Sequence, residues 1–483
     1  MTSNTPASET IVALATAAGK AGVAVIRVSG IQALTALNAF TGITQPKPRY
    51  AHYGTFRHPS TNETIDQGLA LYFPAPHSFT GEEVVEFYLH GSKAVLTATL
   101  NALCSLPNIR LAHAGEFTKR AFQNEKLDLT QVEGLADLLD AETEKQRSQA
   151  IQQLQGTLYA LYTSWQEMLL KPLAYLEAHL DFPEEDIPDS VLTTVQQAIN
   201  DVLHAIEQHL QEGQRGERLR DGIRIAIVGR PNVGKSSLLN ALATREAAIV
   251  SPLAGTTRDI IEVCLDIGGY AVILADTAGL RDNTTDSIEQ TGIARAKAWL
   301  ESADIVLFVA DATVDLEAQL PLLGNMMHLE NQLTGPQPSL GMRAEYTKTD
   351  RIPSEGWGPA ISSKPVLKIL NKIDVAQEFR SPEGFLALSV QTGAGFSALH
   401  SVLLQTLEQL YGGQSSAPLL TRTRHRHAAL AASEALHRAK QAHLPELMAE
   451  DVRHALHKLG ELVGRYDVEA MLDIVFRDFC IGK

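Results

Sequence analysis

Four short runs bring together residues that could handle a phosphorylated nucleotide. The apolar run Ile223-Arg-Ile-Ala-Ile-Val228 leads straight into Gly229-Arg-Pro-Asn-Val-Gly-Lys-Ser236, and Ser237-Leu-Leu-Asn240 then opens a helical pattern. Strand, glycine loop and helix in that order are what a phosphate-binding loop requires. Its glycines let backbone N–H groups close on phosphate oxygens, Lys235 adds charge beside the β- and γ-groups, and the Ser236 hydroxyl suits Mg²⁺. Asn232, Val233, Gly234 and Ser237 complete the expected contact set. Asp276-Thr-Ala-Gly279 follows a second apolar run, Ala271 to Ala275. It brings a carboxylate to a strand's C-terminal end, with Thr277, Ala278 and Gly279 facing the γ-phosphate. Asn371-Lys-Ile-Asp374 follows a third run, Val366 to Leu370. A carboxylate at Asp374 pairs with the N1 and N2 donors of guanine, a pattern that adenine lacks, so the nucleotide implied is GTP. Lys372 flanks the base, and Ser389 and Val390, after Phe385 to Leu388, would close over it, Val390 through its backbone N–H.

Between the first two runs lies Gly255-Thr-Thr-Arg-Asp259, where a nucleotide-sensing switch belongs. Thr257 is the expected second Mg²⁺ ligand, and Ser251, Thr256 and Arg258 belong to the same candidate site. Leu280 follows Gly279, and an aliphatic side chain cannot orient an attacking water. The catalytic group must come from elsewhere, and Asp282, Asp286 and Glu289 are the nearby acids.

These runs need a parallel α/β scaffold, and the chain offers one from about 220 to 411, where strand, loop and helix alternate. Residues 1–126 hold β-rich runs such as Gly22 to Val28 and Gly68 to Phe73 between amphipathic segments, a second α/β domain. From 127 to 219 strand signals vanish and Leu135, Leu138, Leu139, Ile151 and Leu154 recur at helical spacing, with a break at Asp181-Phe-Pro-Glu-Glu-Asp-Ile-Pro188. Helix returns over 412–483. The expected fold is therefore multidomain, an α/β N-terminal domain and an all-α domain from two segments, with an α/β phosphate-loop domain inserted. Asn331 to Lys364 is polar and aperiodic, and reads as a long loop.

A formal charge of −15 excludes a protein that coats nucleic acid by phosphate neutralisation, so any RNA contact must be local. The densest basic spot, Arg422, Arg424, His425, Arg426 and His427, reads as a solvated loop and helix start, with a phosphate-facing patch as the alternative. Three scattered cysteines, Cys104, Cys264 and Cys480, provide no disulfide framework and fit a reducing cytoplasm. Core packing accounts for Cys104 and Cys264. The residues after Met1 show no export signal, and no run is long and apolar enough to span a membrane.

Taken in order, Gly229 to Ser237, Gly255 to Asp259, Asp276-Thr-Ala-Gly-Leu-Arg281 and Cys480-Ile-Gly-Lys483 resemble the MnmE (TrmE) family of tRNA modification GTPases. So do Ser78-Phe-Thr-Gly-Glu-Glu83, Gly115-Glu-Phe-Thr-Lys-Arg-Ala-Phe122 and Lys126-Leu-Asp-Leu129, and the likeness covers nearly the whole chain. The resemblance implies a homodimer working with an FAD-dependent partner of the MnmG (GidA) type. Together they would build a carboxymethylaminomethyl or aminomethyl group on C5 of the wobble uridine of certain tRNAs. It implies 5-formyltetrahydrofolate binding by Arg27, Glu86 and Lys126. It also implies K⁺ beside the phosphates, held by Asn232, Ser251, Leu253 and Thr256. Glu289 would orient water, with Asp286 as the alternative because one extra residue separates Arg281 from Glu289. Cys480 would serve the modification. This sequence departs from the family at Val390, at His113-Ala114, and in the length of 331–364. Two rivals share parts of the pattern, a ribosome-assembly GTPase, which would need a basic RNA-binding domain, and a folate-dependent one-carbon transferase with a regulatory GTPase.

Overall fold

The computed structural model describes residues 9–181, 189–249, 262–276, 299–321, 364–376, 382–413, 418–465 and 482; of 189–191, 247–249 and 276 it describes the backbone alone. Two compact units emerge, one from Met1–Asp140, Ala150–Gly213 and Pro418–Lys483, the other from Ala141–Gln149 and Gln214–Ala417.

In the first unit, strands β1 (Thr10–Leu14), β2 (Ala21–Ser29), β3 (His52–Arg57), β4 (Thr64–Phe73), β5 (Val84–Gly91) and β6 (Ile109–Leu111) form one sheet in the order β3-β4-β5-β2-β1-β6. Pairing is antiparallel except between β1 and β6. Alternation along β2 sends Ala24, Ile26 and Val28 into the core, where they meet helices α1 (Ala33–Thr41) and α2 (Lys93–Cys104). Phe40, Phe56 and Phe87 fill that layer with ring centroids 5.1 to 5.7 Å apart. Each such pair adds about 1 kcal/mol beyond its buried area. The other parity of β2 and β5 leaves Arg27, Glu86 and Tyr88 on the opposite face. Helix α3 (Glu116–Gln123) follows β6.

The helical part holds α4 (Leu129–Asp140), α6 (Thr157–Asp181), most of α7 (Asp189–Asp221), α10 (Thr423–Gln441) and α11 (Pro445–Val463). Helix α5 (Glu144–Leu154) crosses from one unit's residues to the other's. One apolar cluster draws Leu158, Tyr162, Trp165 and Leu169 from α6, Ile199 and Ile206 from α7, and Ala432, Leu436, Val452 and Leu459 from the two late helices. The buried alanines of α10, from Ala428 to Ala439, let α11 approach closely.

The basic run 422–427 does open a helix and leaves His427 exposed, but Arg422, Arg424 and His425 turn inward to acids rather than to solvent. Glu133 on α4 is fully buried, and Arg424 Nη2 and His425 Nε2 reach its carboxylate at 2.9 and 2.7 Å. Arg422 pairs with Asp137 at 2.6 Å. Burial alone would raise the Glu133 pKa, but His425 and Arg424 more than reverse that and hold it well below the usual carboxylate range. Arg424 also donates to the carbonyls of Glu461 and Leu462 at the end of α11. Arg422 and Arg424 neutralise a buried acid that is remote in sequence, and the His425 ring, whose pKa burial lowers, hydrogen-bonds it.

In the second unit, β7 (Ile223–Val228), β8 (Ala247–Ile249), β9 (Glu262–Ile267), β10 (Tyr270–Asp276), β11 (Ile305–Asp311), β12 (Val366–Asn371) and β13 (Phe385–Ala387) are ordered β13-β12-β11-β7-β10-β9-β8. The strands from β13 to β10 run parallel, β9 runs opposite to them, and β8, antiparallel to β9, returns to their direction. Every residue of β11 is buried, as expected of a parallel strand covered on both faces. Helices α8 (Lys235–Arg245) and α9 (Phe396–Tyr411) also belong to this unit. Asn331 to Asp350 and the residues from 351 to 363 lie outside the described residues; Lys364 donates to the carbonyls of Leu300 and Glu301 at 2.8 and 2.6 Å.

Candidate functional site

The glycine loop leaves β7 between β10 and β11, at the C-terminal edge of the parallel strands, where α/β sheets bind ligands. Asn232 takes φ 63° and Gly234 φ 98°, and such alternation turns successive backbone N–H groups into an anion-binding concavity. Gly234 has to be glycine on a second count, since a Cβ there would lie 2.4 Å from Asn371 Nδ2. Lys235 and Ser236 then begin α8, so the loop opens onto a helix N-terminus. Lys235 is buried, and its Nζ donates to the Arg230 carbonyl at 2.8 Å, which holds the ammonium inside the loop. A cation, a nest of N–H groups and a helix N-terminus form a cradle that suits a polyphosphate, and the exposed Ser236 hydroxyl at its edge suits Mg²⁺.

The base-reading run is tied to this loop directly. Asn371, 3% exposed, donates through Nδ2 to the Val233 carbonyl at 2.9 Å, and its Oδ1 accepts the Val390 N–H at 3.1 Å. Lys372 Nζ donates to the Asn232 carbonyl at 2.7 Å and to Asp311 Oδ2 at 2.6 Å. Asp374 is left exposed at the rim. The buried Ser389 shapes the last loop, accepting the N–H of Thr392 on its hydroxyl and that of Gly393 on its carbonyl. Arg245 lies 4.3 Å over the Phe396 ring and secures that loop against α8.

Sequence reasoning missed Asp311. It ends β11 as Asp276 ends β10, and that position at the sheet's C-terminal edge was the signal available. Burial would raise its pKa, but Lys372 and the Thr313 hydroxyl and N–H bring it below the usual carboxylate range. Gln319 holds the strand end in place by accepting the Asp311 N–H at 2.9 Å.

Several expected residues lie outside the described set, namely Ser251, Leu253, Thr256, Thr257, Arg258, Thr277, Ala278, Gly279, Asp282, Asp286, Glu289 and Cys480; of Asp276 only the backbone is described. Cys104 and Cys264 are partly buried, and burial pushes the Cys264 thiol up to about 11, which leaves it inert at neutral pH.

The second candidate site lies on the N-terminal sheet. Arg27 and Glu86 stand opposite each other on β2 and β5, with Arg27 Nε donating to Glu86 Oε1 at 2.9 Å. Tyr88 donates to the other carboxylate oxygen at 3.0 Å. The guanidinium sits 5.3 Å over Phe79 and 5.7 Å over Phe117. Lys126 is exposed, and its chain passes 3.5 Å from where a Cβ on Gly81 would lie, so Arg27 and Lys126 flank one loop, 78–83. A paired guanidinium and carboxylate over aromatic rings, with an exposed ammonium nearby, suit a planar ligand that carries hydrogen-bond donors and an anionic group. Behind this loop Ser29 and Arg120 both bond Glu82, at 2.7 and 2.9 Å. Arg120 and Arg110 converge on Glu116, which burial would raise and these pairings hold at about 2. This framework joins the motif 115–122 to the motif 78–83 and was not legible beforehand.

Gly482 packs against β1, where a Cβ would lie 1.9 Å from the Leu14 carbonyl oxygen. No helix among the described residues is long and apolar enough to cross a membrane.

Comparison with known proteins agrees with the motifs. Residues 10–126 match the family model "GTP-binding protein TrmE N-terminus" and residues 129–480 the model "MnmE helical domain". The chain is 47% identical to the tRNA modification GTPase MnmE of Parvibaculum lavamentivorans, over 98% of this chain and all of that one. It is 46% identical to the Rhodospirillum rubrum protein of the same name, over 98% of this chain and 99% of that one. It is also 44% identical to the mitochondrial 5-taurinomethyluridine-[tRNA] synthase subunit GTPB3 of Danio rerio, over 99% of this chain and 94% of that one. With a phosphate cradle tied to the run Asn371 to Asp374, and with such identity from end to end, the chain is a GTP hydrolase and belongs to the MnmE family of tRNA modification GTPases.

Proposed function

We propose that this GTPase acts with an FAD-dependent partner of the MnmG type to form a carboxymethylaminomethyl or aminomethyl group on C5 of the wobble uridine of certain tRNAs. The observation that carries this reading is the presence in one chain of a built guanine-nucleotide site and a separate Arg27–Glu86 pair over aromatic rings. The pair supports binding of 5-formyltetrahydrofolate or a related folate, which would supply the one-carbon unit, with Arg27, Glu86 and Lys126 holding it. The working domains are 1–126, 127–219, 220–411 and 412–483, in a cytoplasmic homodimer.

Hydrolysis uses Lys235 to neutralise charge on the phosphates and Ser236 with Thr257 to hold Mg²⁺. Asn232, Ser251, Leu253 and Thr256 hold K⁺, which would supply the positive charge that an arginine finger supplies elsewhere. Arg258 and Glu289 belong to the switch side of the site, with Glu289 orienting water. Cys480 serves the uridine chemistry. Tight bonding of Asn371 and Lys372 to the glycine loop supports base reading by Asp374, because the base-side residues and phosphate cradle then hold one register.

Nucleoside mass spectrometry of tRNA from cells lacking the protein tests this reading. The expected result is loss of the C5 substituent at the wobble uridine, restored by the parent gene. Unchanged wobble uridines would refute it. A lost mass matching taurinomethyl would favour the product in the name of the Danio rerio relative.

A further inference from the structure

The chain is strongly acidic, yet between Glu9 and Glu63 it has no Asp or Glu while carrying Lys20, Arg27, Lys47, Arg49 and Arg57. Part of that span is buried strand and helix, but the loop before β3 is not. Lys47, Arg49 and Tyr50 are all exposed, Tyr50 by 53%. The loop is also rigidly built. Pro46 and Pro48 bracket Lys47 and limit its backbone. The Lys47 N–H donates to His52 Nε2 at 3.0 Å, and the Arg49 N–H to the Tyr72 carbonyl at 2.8 Å. Arg49 adopts φ 55° and donates through Nη2 to the His77 carbonyl at 2.5 Å. Lys47 Nζ lies 5.5 Å from the Tyr50 ring centroid, and the Tyr50 and His52 rings meet edge to face at 4.9 Å.

From this arrangement we propose that residues 46–52, with His77 beside them, form an RNA-contact surface in which Lys47 and Arg49 meet phosphates and Tyr50 stacks on an unpaired base. The inference rests on the reading that the substrate is tRNA. Charge complementarity favours it, because RNA binding by an acidic protein needs a local cationic surface, and in the run 422–427 Arg422, Arg424 and His425 are engaged with Glu133 and Asp137. The interleaved ring argues for RNA over an acidic peptide. Cations alone would serve carboxylates, whereas single-stranded nucleic acid is held by cations and stacking together.

The test is fluorescence anisotropy of a tRNA anticodon stem-loop titrated with the full chain across a salt series. Lys47→Ala and Tyr50→Ala should each weaken binding roughly tenfold, with GTP hydrolysis unchanged. Lys47→Ala should also lower the salt slope by about one, since one phosphate contact is lost. Tyr50→Phe should bind as the parent does, and Arg57→Ala, off the loop, should have no effect. Parental affinity in both alanine variants, or displacement by polyglutamate as readily as by polyuridylate, would overturn the surface. That failure differs from failure of the tRNA reading, which would appear as unchanged wobble uridines in cells lacking the protein.

Discussion

Asn371 donates from Nδ2 to the carbonyl of Val233 at 2.9 Å, so the base-side loop and the phosphate cradle are tied to each other. Replacing Asn371 by Ala removes that bond and the acceptor for the Val390 N–H. Each buried hydrogen bond of this kind is worth about 1 kcal/mol, and stranded partners cost more. GTP affinity should therefore fall roughly 30- to 100-fold by calorimetry. Gly234→Ala should do similar damage by pressing on the same amide. Parental affinity in both variants would contradict the idea that this bond orders the site.

Asp374 stands exposed three residues beyond Asn371, with its carboxylate available to a base edge. Asp374→Asn turns an acceptor into a partial donor and should shift preference from GTP towards XTP. Competition between the two nucleotides for the variant is the measurement. Unchanged preference for GTP would remove Asp374 as the reader.

Asn232→Ala should keep nucleotide binding but lose stimulation of hydrolysis by K⁺ if the proposal that this side chain ligates the ion holds. Glu289→Ala should lower kcat by about 10²-fold or more at nearly constant GTP affinity, as loss of a water-orienting group does. Single-turnover hydrolysis with Asp286→Ala in parallel decides between the two acids. Equal parental rates in K⁺ and Na⁺ would rule out the cation role.

On the N-terminal sheet, Arg27→Ala should abolish detectable binding of 5-formyltetrahydrofolate and leave Glu86 with Tyr88 as its remaining described partner. Calorimetry on the full chain reads this. Lys126→Ala, at an exposed position, should weaken binding with little change in thermal stability. No binding by the parent would eliminate the one-carbon donor.

The helical core should be sensitive to acid. His209 is buried beside Tyr162, at 3.1 Å, with Trp165 and His425 also facing it. Burial, assisted by His425, pushes its pKa down to about 4. An unfolded histidine binds its proton below about pH 6.5, so stability is intact above that value and declines as pH falls towards 4, by about 3 kcal/mol in all. His209→Gln should flatten that part of the profile. Glu133→Gln, which removes the buried carboxylate from the half-buried Arg424 and from His425, should cost about 1–3 kcal/mol at neutral pH. Urea unfolding followed by tryptophan fluorescence tests both, and a pH-independent midpoint between 6.5 and 4 would count against the His209 argument.

Parts of this molecule were legible because the chemistry is local. A glycine loop between strand and helix, or Asn371 to Asp374 after an apolar run, carries its geometry in adjacent residues. The misreading of Arg422, Arg424 and His425 as solvated has the opposite cause. Sequence displays the cations but not Glu133, 291 residues before Arg424, and only packing of α4 against the start of α10 makes them partners. The Asp311–Lys372 pair escaped for the same reason, being 61 residues apart and joined by neighbouring parallel strands. Strand order in the N-terminal sheet was likewise beyond reach, because alternation identifies a strand's buried face and says nothing about its neighbours.

The pairing of Glu133 with Arg424 and His425 has a consequence for biosynthesis. During translation the acid emerges well before its cations, and at about 5–20 residues per second the interval is on the order of 15–60 s. Throughout that time the apolar faces of α6 and α7 lack α10 and α11, and the intervening α/β unit can fold first. The helical domain is thus completed late, with an exposed half-core that invites chaperones, and a ribosome stalled between 220 and 420 would display it.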